Sequence, residues 1–577
     1  MARVRFNTLK FLRKHYRGLS QGLVGVFIIS VLLTLPKVAT SLQRQIFVDN
    51  IISGTNPDWA TGFFILGLFL LLFEFVLRIY DDEMWQTTLR ISINATSELL
   101  WHILHLPMSF FHDKYAGDLA SKVSMPSEVA QQVMKKVVPV ISEFILLFVY
   151  LFFMIKYNMV LALFAVVHIL LNIGILRSMN KRRVDMNKQM QNEIDNLQGF
   201  TTSSISNIEA IKGAGAESGF FQRWVNMFAL SQNASIKCST RNIYAAALPS
   251  LFETISSTLV LGIGAYYIMQ GHMTIGMLMA FQGFLDGTMV AMNKISLRFF
   301  QSWSKVKARC EIMDEILTEP TSVPRTIEDQ RPIKNGKLGG RIEMRHITFG
   351  YVPDAPPLIS DFSLTLDAGK TVAFVGLSGC GKSTLSKLVS GLYEPWSGQI
   401  LFDGVDSHDV NRNVFNNSVA MVDQNIVLFD GTVADNVKLW DESIEDFAMI
   451  FACHDAQIHE EIASRSNAYD STVENGGMNF SGGQRQRLEI ASALAKEPTI
   501  LIMDEGTSAL DAVTEERVMR AIKDMGITLI MVAHRLSTIR DCDEIVVLDK
   551  GMVVERGTHE ELMKHEGGLY RQLVETS

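Results

Sequence analysis

Nine consecutive residues, Gly376-Leu377-Ser378-Gly379-Cys380-Gly381-Lys382-Ser383-Thr384, have the G-x-x-x-x-G-K-[ST] spacing of a phosphate cradle. An apolar run of strand type, Thr371-Val372-Ala373-Phe374-Val375, leads in, and a helical pattern, Leu385-Ser386-Lys387-Leu388-Val389, leads out. That context separates the motif from an ordinary glycine-rich turn, because the backbone N–H groups must curl around phosphate oxygens at a helix N-terminus. Lys382 then brings positive charge near the β- and γ-phosphates, and Ser383 offers a hydroxyl to Mg2+. A second run, Thr499-Ile500-Leu501-Ile502-Met503, ends in Asp504-Glu505 and suits a buried parallel strand with two carboxylates at its carboxyl end. There Asp504 can hold Mg2+ through water and Glu505 can polarise an attacking water. Taken alone, an apolar run followed by Asp-Glu is commonplace.

These elements need a scaffold, and 577 residues are too many for one core. Long apolar stretches fill the first half, while alternating strand and helix patterns follow about Gly340, as in a soluble α/β domain. A net charge of −8 provides no basic character for nucleic acid. Cys238, Cys310, Cys380, Cys453 and Cys542 lack C-x-x-C spacing, which argues against a zinc site or disulfide framework and suits a reducing cytosol or lipid. The first apolar segment is too long for a secretory signal and has no small-residue cleavage site after it.

Six stretches, at about 19–35 (continuing past Pro36), 59–78, 137–156, 159–177, 243–269 and 274–293, reach spanning length. Arg3, Arg5, Lys10, Arg13, Lys14 and Arg17 place the N-terminus in the cytoplasm, and an even number of spans returns the C-terminus there. The outside connections are brief, such as Lys156-Tyr157-Asn158 and Gln270-Gly271-His272-Met273. Segments 79–136 and 178–242 are long, charged and helically periodic, and are expected to project into the cytoplasm. The expected division is a membrane domain at 1–317, a linker at 318–340 carrying Pro320, Pro324, Pro332, Gly336, Gly339 and Gly340, and a nucleotide domain at 341–577.

Phe480-Ser481-Gly482-Gly483-Gln484-Arg485-Gln486-Arg487, just before the Asp504-Glu505 strand, removes the ambiguity of that run. With it the chain resembles the ABC transporter superfamily over nearly its full length, which implies an α-helical membrane domain and an α/β P-loop nucleotide domain using ATP and Mg2+. By the resemblance Ser481, Gly482, Gly483 and Gln484 form the family signature, with Ser481 and Gly483 donating to the γ-phosphate of ATP on the opposite subunit. A Ser-Gly-Gly turn opening a helix is indeed a second anion site. One signature and one phosphate loop per chain then imply two chains, a homodimer, or a heterodimer with this chain as the competent half. The resemblance further makes Tyr351 the aromatic that stacks on adenine, Gln424 a contact to Mg2+ and the attacking water, and His534 the switch that holds the γ-phosphate. Read from the residues alone, Tyr351 is an ordinary strand tyrosine and His534 a structural histidine. Ser508-Ala509-Leu510-Asp511 resembles the loop that crosses the dimer interface, and Glu474 falls where exporters carry a glutamate facing the partner's intracellular helices. Phe480 in place of leucine and Gly506 in place of alanine depart from the pattern without removing a functional atom.

Spans fused ahead of the nucleotide domain resemble an exporter half-transporter. Leu106-Pro107-Met108-Ser109-Phe110-Phe111 with Gly117-Asp118-Leu119, and Ile208-Glu209-Ala210-Ile211-Lys212 with Gly215-Ala216-Glu217, occur where such exporters carry docking helices. Gln45-Ile46-Phe47-Val48-Asp49-Asn50, the Ile208 stretch and the 273–282 stretch resemble the branch that exports bacteriocins and modified peptides. The leader peptidase common in that branch is not expected, since the first cysteine is Cys238. Glu143, Glu253 and Asp286 suggest an acidic cavity for a cationic peptide, or else interhelical hydrogen bonding; Glu74 and Arg78 are spaced to pair, and His168 lies in another span. The reading is an ATP-driven peptide exporter in the cytoplasmic membrane. A lipid or hydrophobic drug is the alternative cargo. A channel or sensor is disfavoured by the intact Glu505 and His534, and a soluble DNA- or ribosome-acting ATPase by the spans.

Overall fold

The computed structural model describes residues 8–16, 19–112, 116–321, 336–352, 355–532 and 536–576. Contacts divide the chain into two units, Met1–Leu104 with Ala116–Glu319, and His105–Tyr115 with Pro320–Ser577. Arg3, Arg5, Arg17, Pro324 and Pro332 lie outside the described residues.

The described part of the first unit is helical. Trp59–Leu104, Met159–Ser206 and Glu217–Met269 are single helices of 46, 48 and 53 residues. At 1.5 Å per residue each is about 70–80 Å long, more than twice a hydrocarbon core of ~30 Å. The charged connections are therefore largely continuations of the spans, broken by the short helices Met108–Phe111 and Ile208–Gly213. Among the described residues Gln21–Ile52, Trp59–Leu104, Leu119–Tyr157, Leu251–Met269 and Ile275–Met292 are long and apolar enough to cross a membrane, and Met159–Leu171 is a shorter apolar stretch. The second of these leaves Phe64, Ile65, Leu68, Phe69, Leu71 and Leu72 exposed, a surface suited to lipid.

The first apolar stretch continues past Pro36, as its sequence suggests, to Ile52. Pro36 has no N–H for the Leu32 carbonyl, so the helix Leu19–Leu32 breaks at Leu33, then resumes as Thr34–Ile46 and a π turn, Phe47–Ile52. Side-chain caps tighten two of the turns between spans. Asn158 accepts from the N–H groups of Val160 and Leu161, and Thr274 accepts from Met277. Asp49 reaches the same turn, accepting from the Thr274 hydroxyl (2.6 Å) and the Gly276 N–H (2.9 Å).

Inside the bundle, Tyr150, Phe153 and Tyr157 converge on Phe284 with ring centroids 5.6, 5.4 and 6.0 Å away. Three residues on, Gly287 faces Tyr150 so closely that an added Cβ would lie 2.5 Å from its Cε2. Gly287→Val should therefore destabilise the membrane unit by about 1–3 kcal/mol. Denaturation in detergent checks this, and combining it with Tyr150→Leu should recover part of the loss.

Twelve strands build the described part of the second unit: β1 Ile342–Phe349, β2 Ile359–Leu366, β3 Thr371–Gly376, β4 Ser397–Phe402, β5 Val405–Asp406, β6 Val419–Val422, β7 Gly431–Thr432, β8 Thr472–Val473, β9 Ile500–Asp504, β10 Thr528–Val532, β11 Glu544–Asp549 and β12 Met552–Gly557. They pair as a sheet ordered β2-β1-β4-β5, a second ordered β12-β11-β3-β10-β9-β6, and a β7-β8 ribbon. In the large sheet β11, β3, β10, β9 and β6 are mutually parallel. β9 and β10 are buried throughout and β3 from its second residue on, which is why they read as unbroken apolar runs. Period-two alternation still assigns their faces. Val372, Phe374, Ile500, Ile502, Ile530 and Val532 enter one core, whereas Ala373, Val375, Leu501, Met503, Leu529 and Met531 enter the other.

Candidate functional site

The parallel register brings four carboxyl ends to one edge of the sheet. Val532 pairs with Phe374 on one side and Asp504 on the other, and Val422 pairs with Met503. Past that edge come the phosphate loop, Asp504-Glu505 and Asp423-Gln424. His534 follows β10 and lies outside the described residues. Ligands of open α/β sheets bind at such an edge.

At the end of β3 the backbone turns at Gly376, with φ 154°, where a Cβ would lie 2.2 Å from the Leu548 carbonyl oxygen. The helix Lys382–Val389 opens at Gly381, with φ 101°, where a Cβ would lie 2.4 Å from Ile359. Ser378 and Gly379 are exposed on the crest of the loop, while Cys380 and Thr384 are buried. Lys382 is only 6 % exposed and donates to the carbonyls of Gly376 (2.8 Å) and Leu377 (3.1 Å), which holds its ammonium within the loop.

Ser383 donates from its hydroxyl to Asp504 Oδ1 at 3.0 Å. Asp504 is 1 % exposed, and burial pushes its carboxyl above the ordinary range while the Ser383 hydroxyl opposes the shift. A hydroxyl and a buried carboxylate are hard oxygen donors, the set that Mg2+ takes together with substrate phosphates. Among the described residues no three His, Cys, Asp or Glu side chains group as a metal cage, and Mg2+ bound through phosphate needs none. The residues fit the ion: Ser383 and Asp504 would hold it, with the Gln424 amide at the same edge. Bound there, Mg2+ neutralises phosphate charge.

Tyr351 meets Phe349 and Tyr393 edge-on, with centroids 5.3 and 5.4 Å away, and its hydroxyl lies 3.1 Å from Thr384 Oγ1. His112 lies nearly parallel to the same ring at 5.4 Å and 12°. It follows directly on the 106–111 stretch and carries no motif that could single it out.

The signature residues open the helix Gly482–Leu494. Ser481 Oγ accepts from the Gln484 N–H, and Gln484 Oε1 accepts from the Ser481 N–H, a reciprocal capping box. Glu461 holds both Gln484 (2.7 Å) and Arg487 (2.8 Å) from the neighbouring segment. Ser481 and Gly482 are exposed, so the start of this helix is open to solvent. Asp511 is given to its own helix, Ala512–Asp524, where it accepts from Val513 and Thr514 and is held below the ordinary carboxylate range by those bonds. Glu474 is exposed and accepts from Thr472.

Sequence reasoning missed Glu461 and Glu489. Glu489 sits in an otherwise apolar stretch, Leu488, Ile490 and Ala491, which was the only available signal. Burial pushes its carboxyl up to about 7, with the Asp423 charge adding to the rise and the Asp423 backbone hydrogen bond opposing it.

Two family matches cover most of the chain: residues 23–292 match the ABC transporter transmembrane region, and residues 359–508 match ABC transporter. The chain belongs to the ABC transporter family. It is 30% identical to the exotoxin translocation ATP-binding protein PaxB of Pasteurella aerogenes over 95% of this chain and 77% of that one. The toxin RTX-III translocation ATP-binding protein of Actinobacillus pleuropneumoniae matches at the same identity and coverage. LktB, a leukotoxin translocation ATP-binding protein of Mannheimia haemolytica, is 29% identical over the same shares. The fold is shared with a bacterial Atm1-family ABC exporter solved with ATP bound, at a TM-score of 0.82 and 24% identity over 97% of this chain and 98% of that chain. This ABC transporter chain is a multi-pass membrane protein with its ATPase domain fused to the spans.

Of the two readings open for its intramembrane carboxylates, Glu143 takes the interhelical one, and Glu74 and Arg78 pair as their spacing suggests. Glu143 accepts from Lys294 (2.6 Å) and Lys37 (3.4 Å), and Glu74 accepts from Arg78. Nearby, a cavity of about 280 Å³ is lined by Lys37, Thr40, Ser41, Arg44, Glu74, Tyr150, Gly283 and Asp286. Carboxylates in hydrocarbon recruit cations, so this lining carries both signs. His168 in turn shares a 2.6 Å hydrogen bond with Ser256.

Ser383→Ala should raise the Mg2+ concentration for half-maximal ATP hydrolysis at least about tenfold, leaving ATP binding in chelator unchanged; an Mg2+ titration of activity checks this. Glu489→Gln tests the raised carboxyl. A folded-state pKa above the ordinary value contributes stability that is full below about pH 4.5 and lost as pH rises through about 7. The melting temperature of the variant relative to the parent should therefore climb between pH 5 and pH 8.

Proposed function

We propose that two copies of this chain form an exporter that moves a peptide outward across the cytoplasmic membrane, with both termini in the cytoplasm. The observation that carries the ATP-driven half is the Ser383–Asp504 pair beside the phosphate loop, 121 residues apart in sequence and 3.0 Å apart in space. The cargo class is supported by relatives whose names assign them to translocation of protein toxins. Within that class, a bacteriocin or a modified natural-product peptide is the reading carried by the 45–50, 208–212 and 273–282 stretches.

Tyr351 stacks on adenine. The loop from Gly376 through Thr384 wraps the phosphates, with Lys382 against the β- and γ-phosphates. Glu505 acts as general base on the attacking water, Gln424 orients that water, and His534 holds the γ-phosphate. The solvent-exposed N-terminus of the Ser481 helix is an anion site, which suits capture of the γ-phosphate held by the other copy. The Asp511 loop lies at the junction. ATP binds the closed pair better than the open pair because each nucleotide needs residues from both chains, and that difference is what shifts the population. Hydrolysis removes it. The docking stretches at 106–111 and 208–212 carry the shift to the spans.

A cavity with charges of both signs suits a peptide segment better than a purely apolar drug or lipid tail. Glu505→Gln should keep ATP binding within about twofold and lower turnover at least about 100-fold, the scale of a lost general base. Turnover at the parental rate would remove Glu505 from its role. In lipid nanodiscs, ATP hydrolysis should rise with cationic precursor peptides and stay flat with lipids or amphiphilic drugs. Stimulation by drugs or lipids alone would replace the cargo reading and leave the nucleotide assignments in place.

A further inference from the structure

Glu505 stands with φ 54°, in the left-handed region that a side chain rarely adopts. Three backbone-directed hydrogen bonds hold it there. Its N–H donates to the Val532 carbonyl (3.0 Å), and its carbonyl accepts from the Ser508 N–H (3.1 Å) and from Gln486 Nε2 (3.1 Å). Gln486 is 2 % exposed, and the other end of its amide accepts from the Ala509 N–H at 2.8 Å. Both ends of one buried side chain thus grip the 505–509 turn. The residue belongs to the helix capped by Ser481, and five positions along a helix amount to about 7.5 Å. A second approach ties the same parts together: a Cβ on Gly483 would lie 3.1 Å from the Ala509 carbonyl oxygen, so the first turn of the helix sits directly on that loop.

We propose that Gln486 is a positioning residue that locks the backbone of Glu505 and the loop after it to the helix beginning at Ser481. Anion capture at the helix N-terminus and the aim of the catalytic carboxylate then move as one body. The amide is suited to this because it donates to one backbone group and accepts from another, which neither a carboxylate nor an apolar side chain of the same size can do. On the homodimer reading, the helix serves the nucleotide of the partner while Glu505 serves its own, so Gln486 joins the two ATP sites. That last consequence rests on the dimer; the grip on Glu505 does not.

The test compares the full-length parent, Gln486→Leu and Gln486→Glu in nanodiscs. ATP binding is measured with Mg2+ chelated, and hydrolysis is followed against ATP concentration from pH 6 to pH 8.5. Gln486→Leu should bind ATP within twofold of the parent, lose at least tenfold in kcat, and show a Hill coefficient falling towards one. Gln486→Glu keeps the acceptor for Ala509 but can donate to the Glu505 carbonyl only when protonated. Its activity relative to the parent should therefore recover as pH falls, while that of Gln486→Leu stays level. The neighbouring carboxylates, Glu489, Glu505 and Glu515, are common to all three proteins and cancel in the ratio. The proposal is overturned if Gln486→Leu keeps kcat and Hill coefficient within twofold of the parent, or if Gln486→Glu shows no recovery at low pH. Should Gln486→Leu fail to fold, the pH profile of Gln486→Glu decides alone. A parent that is monomeric with a Hill coefficient of one overturns the dimer reading, and the kcat and pH comparisons still judge Gln486.

Discussion

The hydrogen bond from the Ser383 hydroxyl to the Asp504 carboxylate depends on a constraint set by the sheet. β10 lies between β3 and β9 in parallel register, with Val532 level with both Phe374 and Asp504, so loops more than a hundred residues apart leave at one height. A slip of one residue would exchange the two faces of β10 and send Ile530 and Met531 into each other's cores. Burial on both sides therefore protects the register, and the register places the chemistry. Partners built from the same fold hold the polar groups there: Lys382 has the loop carbonyls and Asp504 has Ser383.

The membrane unit solves the converse problem, which is how to keep charge inside apolar surroundings. Glu143 is bridged by two lysines from different helices, Lys37 and Lys294, and Asp49 caps the Thr274 turn from the end of the first span. Such contacts orient helices that dispersion alone would leave free to rotate, since lipid tails compete equally for apolar faces. Close packing supplies the remaining definition, as at Gly287 beneath Tyr150. Polar pairing and small-residue contacts thus divide between them the work that the hydrophobic effect does in the nucleotide domain.

Both units place polar detail on long rigid elements. The spans continue as helices far beyond the membrane thickness, so a rotation at one end is carried to the other. In the nucleotide domain the helix from Gly482 to Leu494 carries the capping box at its start, then the buried Gln486, then the half-buried Glu489. One short helix therefore touches the Ser481 cap, the 505–509 turn and, at Asp423, the segment before Gln424.

The phosphate loop, the Asp504-Glu505 strand and the signature were legible from the chain because each is a local pattern: a few residues at fixed spacing between elements of recognisable period. The apolar stretches were legible for the same reason, since spanning length is a one-dimensional property, and the first continues past Pro36 as read, although only the structure showed the break at Leu33 and the end at Ile52. Partners were not legible. Nothing near Glu143 in sequence names Lys294, 151 residues away, and so the residues alone left an acidic lining and interhelical bonding both open where the folded chain pairs this charge. Glu461 and His112 were invisible because an isolated Glu or His has no spacing to read, and Gln486, though it stands in the signature stretch, takes its role wholly from what the fold sets against it. The sequence by itself determined which chemistry the chain can do and that it crosses a membrane. The tertiary structure decided which groups are paired, which are strained and which face outward, since those depend on distances between residues that the order of the chain does not contain.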